Sequence, residues 1–148
     1  MAMSTAAPLL EVQGLDISLP KGADRPLAVS NASFTLMPGR TVCIVGESGS
    51  GKSTVADGIM GLLPRPHLAP VAGRILFGGR DLLTLDDAGM RSLRGREIGM
   101  VFQEPMAALN PLMKIGAQLE EVLEIHLSLP AQERRRRALA ALADVGLP

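Results

Sequence analysis

The sequence predicts an α/β fold, and three observations carry that prediction. An apolar, β-branched run, TVCIV, leads into the glycine-rich stretch GESGSGKS, and the residues after it recur at helical spacing. Strand-period alternation fills the segment before this unit. Helix-period repeats fill the segment after Asn110. The 148 residues suit one globular domain. Apolar residues make up 47%, enough for a core, yet aromatics are only 2%, namely Phe34, Phe77 and Phe102. The core is therefore expected to be aliphatic and Met-rich.

In LDISL, Leu15, Ile17 and Leu19 alternate with Asp16 and Ser18, the period of a half-buried strand, and PKGADRP breaks it. A second alternation, Ala32, Phe34 and Leu36 against Ser33 and Thr35, runs into a Pro38-Gly39 turn. TVCIV, Thr41 to Val45, reads as a buried strand, with the lone Cys43 as a small core residue in a reducing compartment. A helix is expected from Lys52, its inner face marked by Val55, Ile59 and Leu63. PRPHLAP is a rigid link, and GRILFGGRDL a short strand with a Gly78-Gly79 turn. Asp86 suits the N-cap of a short helix through Arg94. REIGMVFQEP reads as another strand, stopped by Pro105. PLMKIGAQLEEVLEIHL and PAQERRRRALAALADVGL read as two helices split by Pro130.

GESGSGKS, Gly46 to Ser53, fits G-x-x-x-x-G-K-[ST], the phosphate-binding loop of nucleoside triphosphatases. With this composition, chance would supply roughly 0.003 matches to its four fixed positions. Each residue type has a mechanical reason. Gly46, Gly49 and Gly51 leave no Cβ in the way, so successive N–H groups can converge on one anion. Lys52 supplies a mobile charge for the β- and γ-phosphates, and the Ser53 hydroxyl is sized to ligate Mg²⁺ beside them. A helix starting at Lys52 adds unpaired N–H groups and its positive dipole end.

Fifteen basic residues balance fifteen acidic ones, which argues against a general nucleic-acid or anionic-lipid binder. ERRRR, Glu133 to Arg137, reads as a solvated helix face. No apolar stretch approaches about 18 residues and MAMSTAAPLLEVQ lacks a charged start, so neither a membrane span nor a signal peptide is expected. His67 and His126 have no partners at metal-ligand spacing.

A phosphate loop alone does not choose between a kinase, a GTPase and a transport ATPase. The other segments do. LEVQGLDISL, AVSNASFTLMPGRTVCIVGESGSGKST, GRILFGGRDLLTL and LRGREIGMVFQEPMAALNPLMKIGAQLEE together resemble the ATP-binding subunit of ABC transporters. The GESGSGKS loop and the FQEP…LNP stretch are most similar to the subfamily of oligopeptide, dipeptide and nickel importers. This resemblance implies a P-loop NTPase (RecA-like) domain with an N-terminal antiparallel β-subdomain. Residues 9–110 would carry that subdomain and the core through the Q-loop, and residues 111–148 would begin the helical subdomain.

By position, Gly46, Glu47, Ser48, Gly49, Ser50, Gly51, Lys52 and Ser53 would form the Walker A loop for ATP and Mg²⁺, with Thr54 a further phosphate contact. Gln103 would be the Q-loop glutamine, reaching Mg²⁺ and the attacking water. Lys52 and Gln103 are thus the implied catalytic residues, and Ser53 and Gln103 the implied metal contacts. The implied partners are transmembrane permease subunits, met near the Q-loop and helical subdomain, and a second ATP-binding subunit. Nucleic acid is not among them. The implied place is the cytoplasmic face of the cell membrane, held peripherally.

Three departures qualify this. The family stacks adenine on an early aromatic residue, and this chain has Leu19 near that place with no aromatic before Phe34. Ala107 and Ala108 stand where relatives often carry hydroxyls. The LSGGQ signature, the Walker B carboxylates and the switch histidine, which follow later in the family, do not occur before Pro148, so the 148 residues alone are expected to be inactive. LLTLD, Leu82 to Asp86, imitates a Walker B strand, which would make the chain a small complete NTPase. It also matches a hairpin followed by a helix cap. A nucleotide-binding module without catalysis and a non-transport P-loop ATPase remain the other readings.

Overall fold

The computed structural model describes residues 7–104 and 109–147. The chain divides into two compact units, Met1–Arg91 and Ser92–Pro148.

The first unit is built on an antiparallel sheet of order β2-β1-β3-β4, from β1 (Leu10–Ser18), β2 (Leu27–Leu36), β3 (Ala69–Phe77) and β4 (Arg80–Asp81). β1 is central because its apolar residues face inward at positions 10, 12, 15 and 17. The step from Val12 to Leu15 is one residue too long for a strand, and Gly14 takes it up as a bulge at φ +57°. Neighbouring strands are irregular at the same level. Asn31 in β2 has φ +49° and donates its N–H to Asp16 Oδ1 at 2.6 Å. Gly73 in β3 has φ +87°, and a Cβ there would run into the Gly14 carbonyl. This is why LDISL alone is legible as a strand while the strand starts at Leu10. The period is interrupted midway.

α1 (Lys52–Met60) packs on the sheet through Val55, Gly58 and Met60. A Cβ on Gly58 would lie 3.3 Å from Ile17 Cδ1, so glycine lets the helix approach β1 closely. Leu63 falls beyond Gly61, whose left-handed backbone ends the helix with bonds to Asp57 and Gly58 carbonyls, so it is not on the helix face expected for it. Val12, Leu15, Ile17, Val29 and Ile75 form the centre of the core with Leu82, and each fully buried side chain contributes about 1.5–3 kcal/mol. No aromatic is buried among the described residues.

β3 and β4 close over Gly78-Gly79, both at positive φ, as the paired glycines require. Leu82–Thr84 is a 3₁₀ turn capped by Asp81, whose Oδ1 accepts from Leu83 N at 3.1 Å. Asp86 then caps α2 (Asp87–Leu93), its Oδ1 accepting from Gly89 N at 2.8 Å. The stretch LLTLD is therefore not a strand, and Asp86 is a cap.

Two expected strands are absent. TVCIV has no regular structure, Val45 is 88% exposed, and Cys43 is exposed rather than in the core. REIGMVFQ forms only an isolated bridge, Arg94 with Ile98, and Val101 is 96% exposed. The physical reason is the same for both. A strand persists through a laddered neighbour, and none of the four described strands pairs with either run. Pro105, Ala107, Ala108 and Pro148 lie outside the described residues.

In the second unit, α3 (Ile115–His126) and α4 (Ala131–Asp144) pack around Ala138, flanking an open groove of about 390 Å³. Gln118 ties the preceding segment to α3, accepting from Asn110 N at 2.9 Å and donating to the carbonyls of Asn110 at 3.0 Å and Met113 at 3.1 Å. The ERRRR run is a network. Glu133 accepts from Arg136 twice, at 2.7 Å, and from Arg137 at 2.9 Å, while Arg134 donates to Leu129 O at 2.9 Å.

The hydrogen bonds from Arg136 and Arg137 hold the Glu133 carboxyl at about 2, down from 4.5. A depressed carboxylate adds stability that is complete above pH 4.5 and fades as pH falls through about 2. Carboxyl NMR should place the Glu133 midpoint near 2, and the helicity lost in Glu133→Gln at neutral pH should vanish at the acid end. A midpoint at 4.5 would show that the network does not hold in solution.

Candidate functional site

Gly46 to Ser50 are exposed, and the loop enters α1 through the half-buried Gly51. Its turn is closed by Ser50 N donating to Glu47 O at 3.3 Å. Gly49 has φ +78°, open to glycine and costly for other residues. Gly51 is the N-cap of α1 at φ +89°, and it provides no side-chain cap. A Cβ on Gly51 would strike the Ala28 carbonyl and lie 3.0 Å from Val29 Cγ2, so the loop is nested against the start of β2. A Cβ on Gly46 would lie 2.8 Å from Ser50 Oγ.

Lys52 folds back over this loop. Its Nζ donates to Gly46 O at 2.9 Å, to Glu47 O at 2.6 Å and to Ser50 Oγ at 3.2 Å. An ammonium has three N–H donors, and three acceptors surround it. Ser53 and Thr54 occupy the second and third helical positions, Ser53 exposed and Thr54 half-buried. Glycines with no Cβ, a helix start with no side-chain cap and the Lys52 ammonium at its mouth suit an anion of phosphate size.

Gly46 to Thr54 thus come together in the first unit. Gln103 is exposed, in an irregular part of the second unit next to Phe102. Sequence reasoning missed Arg25. Its Nη2 donates to Gly49 O at 2.6 Å from a turn that reads, in sequence, only as a strand break.

A family model described as ABC transporter matches residues 29–148. The chain belongs to the ABC transporter family. Its relatives in this family include the peptidoglycan transport ATP-binding protein YejF of Agrobacterium fabrum, 46% identical over 147 residues, which are 99% of this chain and 27% of that protein. The oligopeptide transport ATP-binding protein OppD of Bacillus subtilis is 45% identical over 140 residues, 95% of this chain and 39% of that protein. The dimeric, post-hydrolysis structure of the ATP-binding cassette MJ0796 with ADP and Pi is similar with TM-score 0.79 and 28% identity, over 94% of this chain and 58% of that one. The chain therefore spans less than two-thirds of each of these ABC relatives. Its antiparallel sheet and helices are part of the ABC ATPase fold.

Proposed function

We propose that this chain is the phosphate-binding part of an ATP-binding subunit that powers import of peptides or related solutes through an ABC transporter. One observation carries the reading, namely the Gly46–Gly51 loop with Lys52 drawn across it ahead of an α1 start that has no side-chain cap. The names of the relatives, peptidoglycan and oligopeptide transport ATP-binding proteins, supply the solute class.

In this reading the loop N–H groups of Glu47, Ser48, Gly49 and Gly51 hold the β-phosphate, while Ser50 N–H keeps the turn closed on Glu47 O, and Lys52 leaves its carbonyl partners for the β- and γ-oxygens. Ser53 Oγ would ligate Mg²⁺, and Thr54 would add a phosphate contact. A Mg²⁺ ion held there would supply positive charge to the phosphoryl group being transferred. Gln103 offers a neutral amide oxygen, able to orient water or a cation without taking a proton. The complete subunit hydrolyses ATP. Residues 1–148 alone bind without turnover, since LLTLD is a turn and a cap and supplies no metal-anchoring strand. No helix among the described residues is long and apolar enough to cross a membrane. Membrane attachment is assigned to permease subunits on the cytoplasmic side, and a second ATP-binding subunit completes the assembly, in keeping with the dimeric MJ0796 cassette.

Binding and phosphate release measured on the same sample test this. ATP should bind in a Mg²⁺-dependent manner, with GTP competing within about 100-fold, or 2.7 kcal/mol, because the sequence offers no aromatic near Leu19 to read the base. Turnover above about 0.01 per second that disappears in Lys52→Ala would overturn the inactive-segment reading. No ATP binding at all would overturn the site.

A further inference from the structure

We propose that Arg25, in the turn between β1 and β2, is a positioning residue that fixes the working shape of the phosphate loop. The proposal rests on the reading of Gly46–Thr54 as a nucleotide phosphate site. Three contacts carry it. Arg25 Nη2 donates to Gly49 O at 2.6 Å, across 24 residues of sequence. The Gly49–Ser50 peptide is a rigid trans plane, so holding its carbonyl fixes the direction of the Ser50 N–H on the opposite side. That N–H donates to Glu47 O at 3.3 Å, and the same oxygen accepts from Lys52 Nζ at 2.6 Å. Arg25 is therefore linked to Lys52 through one peptide plane and one carbonyl oxygen.

Gly49 is where the loop needs such a brace. A Cβ built on it would find nothing within 4 Å, so packing does not hold this residue, and its φ of +78° leaves it the conformational freedom of glycine. Its neighbours are held otherwise. Gly46, Glu47 and Ser50 are tied by Lys52, and Gly51 is wedged against Ala28 and Val29. Arg25 itself is well founded. Leu19 N donates to Pro26 O at 2.9 Å, closing the turn at its base, and Pro26 disfavours helical backbone at Arg25. The nested contact of Gly51 with Ala28 and the Arg25–Gly49 bond independently place the start of β2 against the loop.

The test compares ATP and inorganic tripolyphosphate binding by the full chain, as wild type and as Arg25→Ala, Arg25→Lys and Lys52→Ala, with melting curves and amide NMR spectra. Arg25→Ala should weaken ATP and tripolyphosphate by the same factor, about tenfold, at unchanged melting temperature, with shifts in the Gly49, Ser50 and Gly51 amides. Arg25→Lys should recover to within about threefold, since an ammonium can also donate to Gly49 O. Loss of ATP affinity with tripolyphosphate unaffected would overturn positioning in favour of a direct base or ribose contact. A lowered melting temperature that lysine does not rescue would overturn it in favour of plain structural support. Unchanged affinity in Arg25→Ala, with loss in Lys52→Ala, would end the proposal while leaving the phosphate site standing. Full affinity in Lys52→Ala would instead remove the phosphate-site reading on which the proposal depends.

Discussion

Lys52→Ala is expected to lower ATP affinity about 10- to 150-fold, the loss of one strong charge-assisted contact worth about 1.5–3 kcal/mol. The substitution acts twice. It removes the cation that would meet the β- and γ-phosphates, and it unties Gly46, Glu47 and Ser50 from one another. Lys52→Arg should not restore binding fully, because a planar guanidinium cannot reproduce the compact three-way contact of an ammonium. Titration with labelled ATP is the measurement. Near wild-type affinity in the alanine variant would mean that the loop does not bind phosphate.

Gly51→Ala should be the most damaging single methyl in the loop. The residue sits at φ +89°, and the new Cβ would meet the Ala28 carbonyl, a backbone atom that cannot swing aside. Strain of this kind costs about 1–3 kcal/mol, and the melting temperature should fall by about 3–10 °C. Gly49→Ala is the matched control. It has a similar φ of +78° with nothing within 4 Å of the added Cβ, so it carries backbone strain but no clash. Calorimetry on both variants decides the matter. Equal melting shifts would show that the loop is not wedged against β2.

The parts of this molecule readable from sequence are those whose cause is local. GESGSGKS declares itself because its glycines and lysine act within eight consecutive residues. α3 and α4 are legible because helices bond within themselves, and Pro130 separates them. Asp86 and the Gly78-Gly79 turn are short-range devices in the same sense. TVCIV and REIGMVFQ have equally good strand composition, yet strand character depends on a neighbour that composition cannot name. β1 was only half visible because the Gly14 bulge shifts its inward positions by one residue. Arg25 left no signal at all. Its partner is 24 residues away and is a backbone carbonyl, so no pattern of side-chain types records the contact.

If the loop holds phosphate as proposed, the three bonds of Lys52 to its own loop bear on how long a nucleotide stays. An arriving phosphate meets a cradle that already has its turn, its left-handed glycines and its helix start, so little must rearrange before first contact. Entry rates should therefore differ little between the wild type and its loop variants. Departure is another matter. The ammonium can step back onto Gly46 O, Glu47 O and Ser50 Oγ one donor at a time, giving the leaving anion a ready replacement at every stage. Variants that disturb those oxygens should alter residence time, and stopped-flow traces should separate them by their dissociation phase.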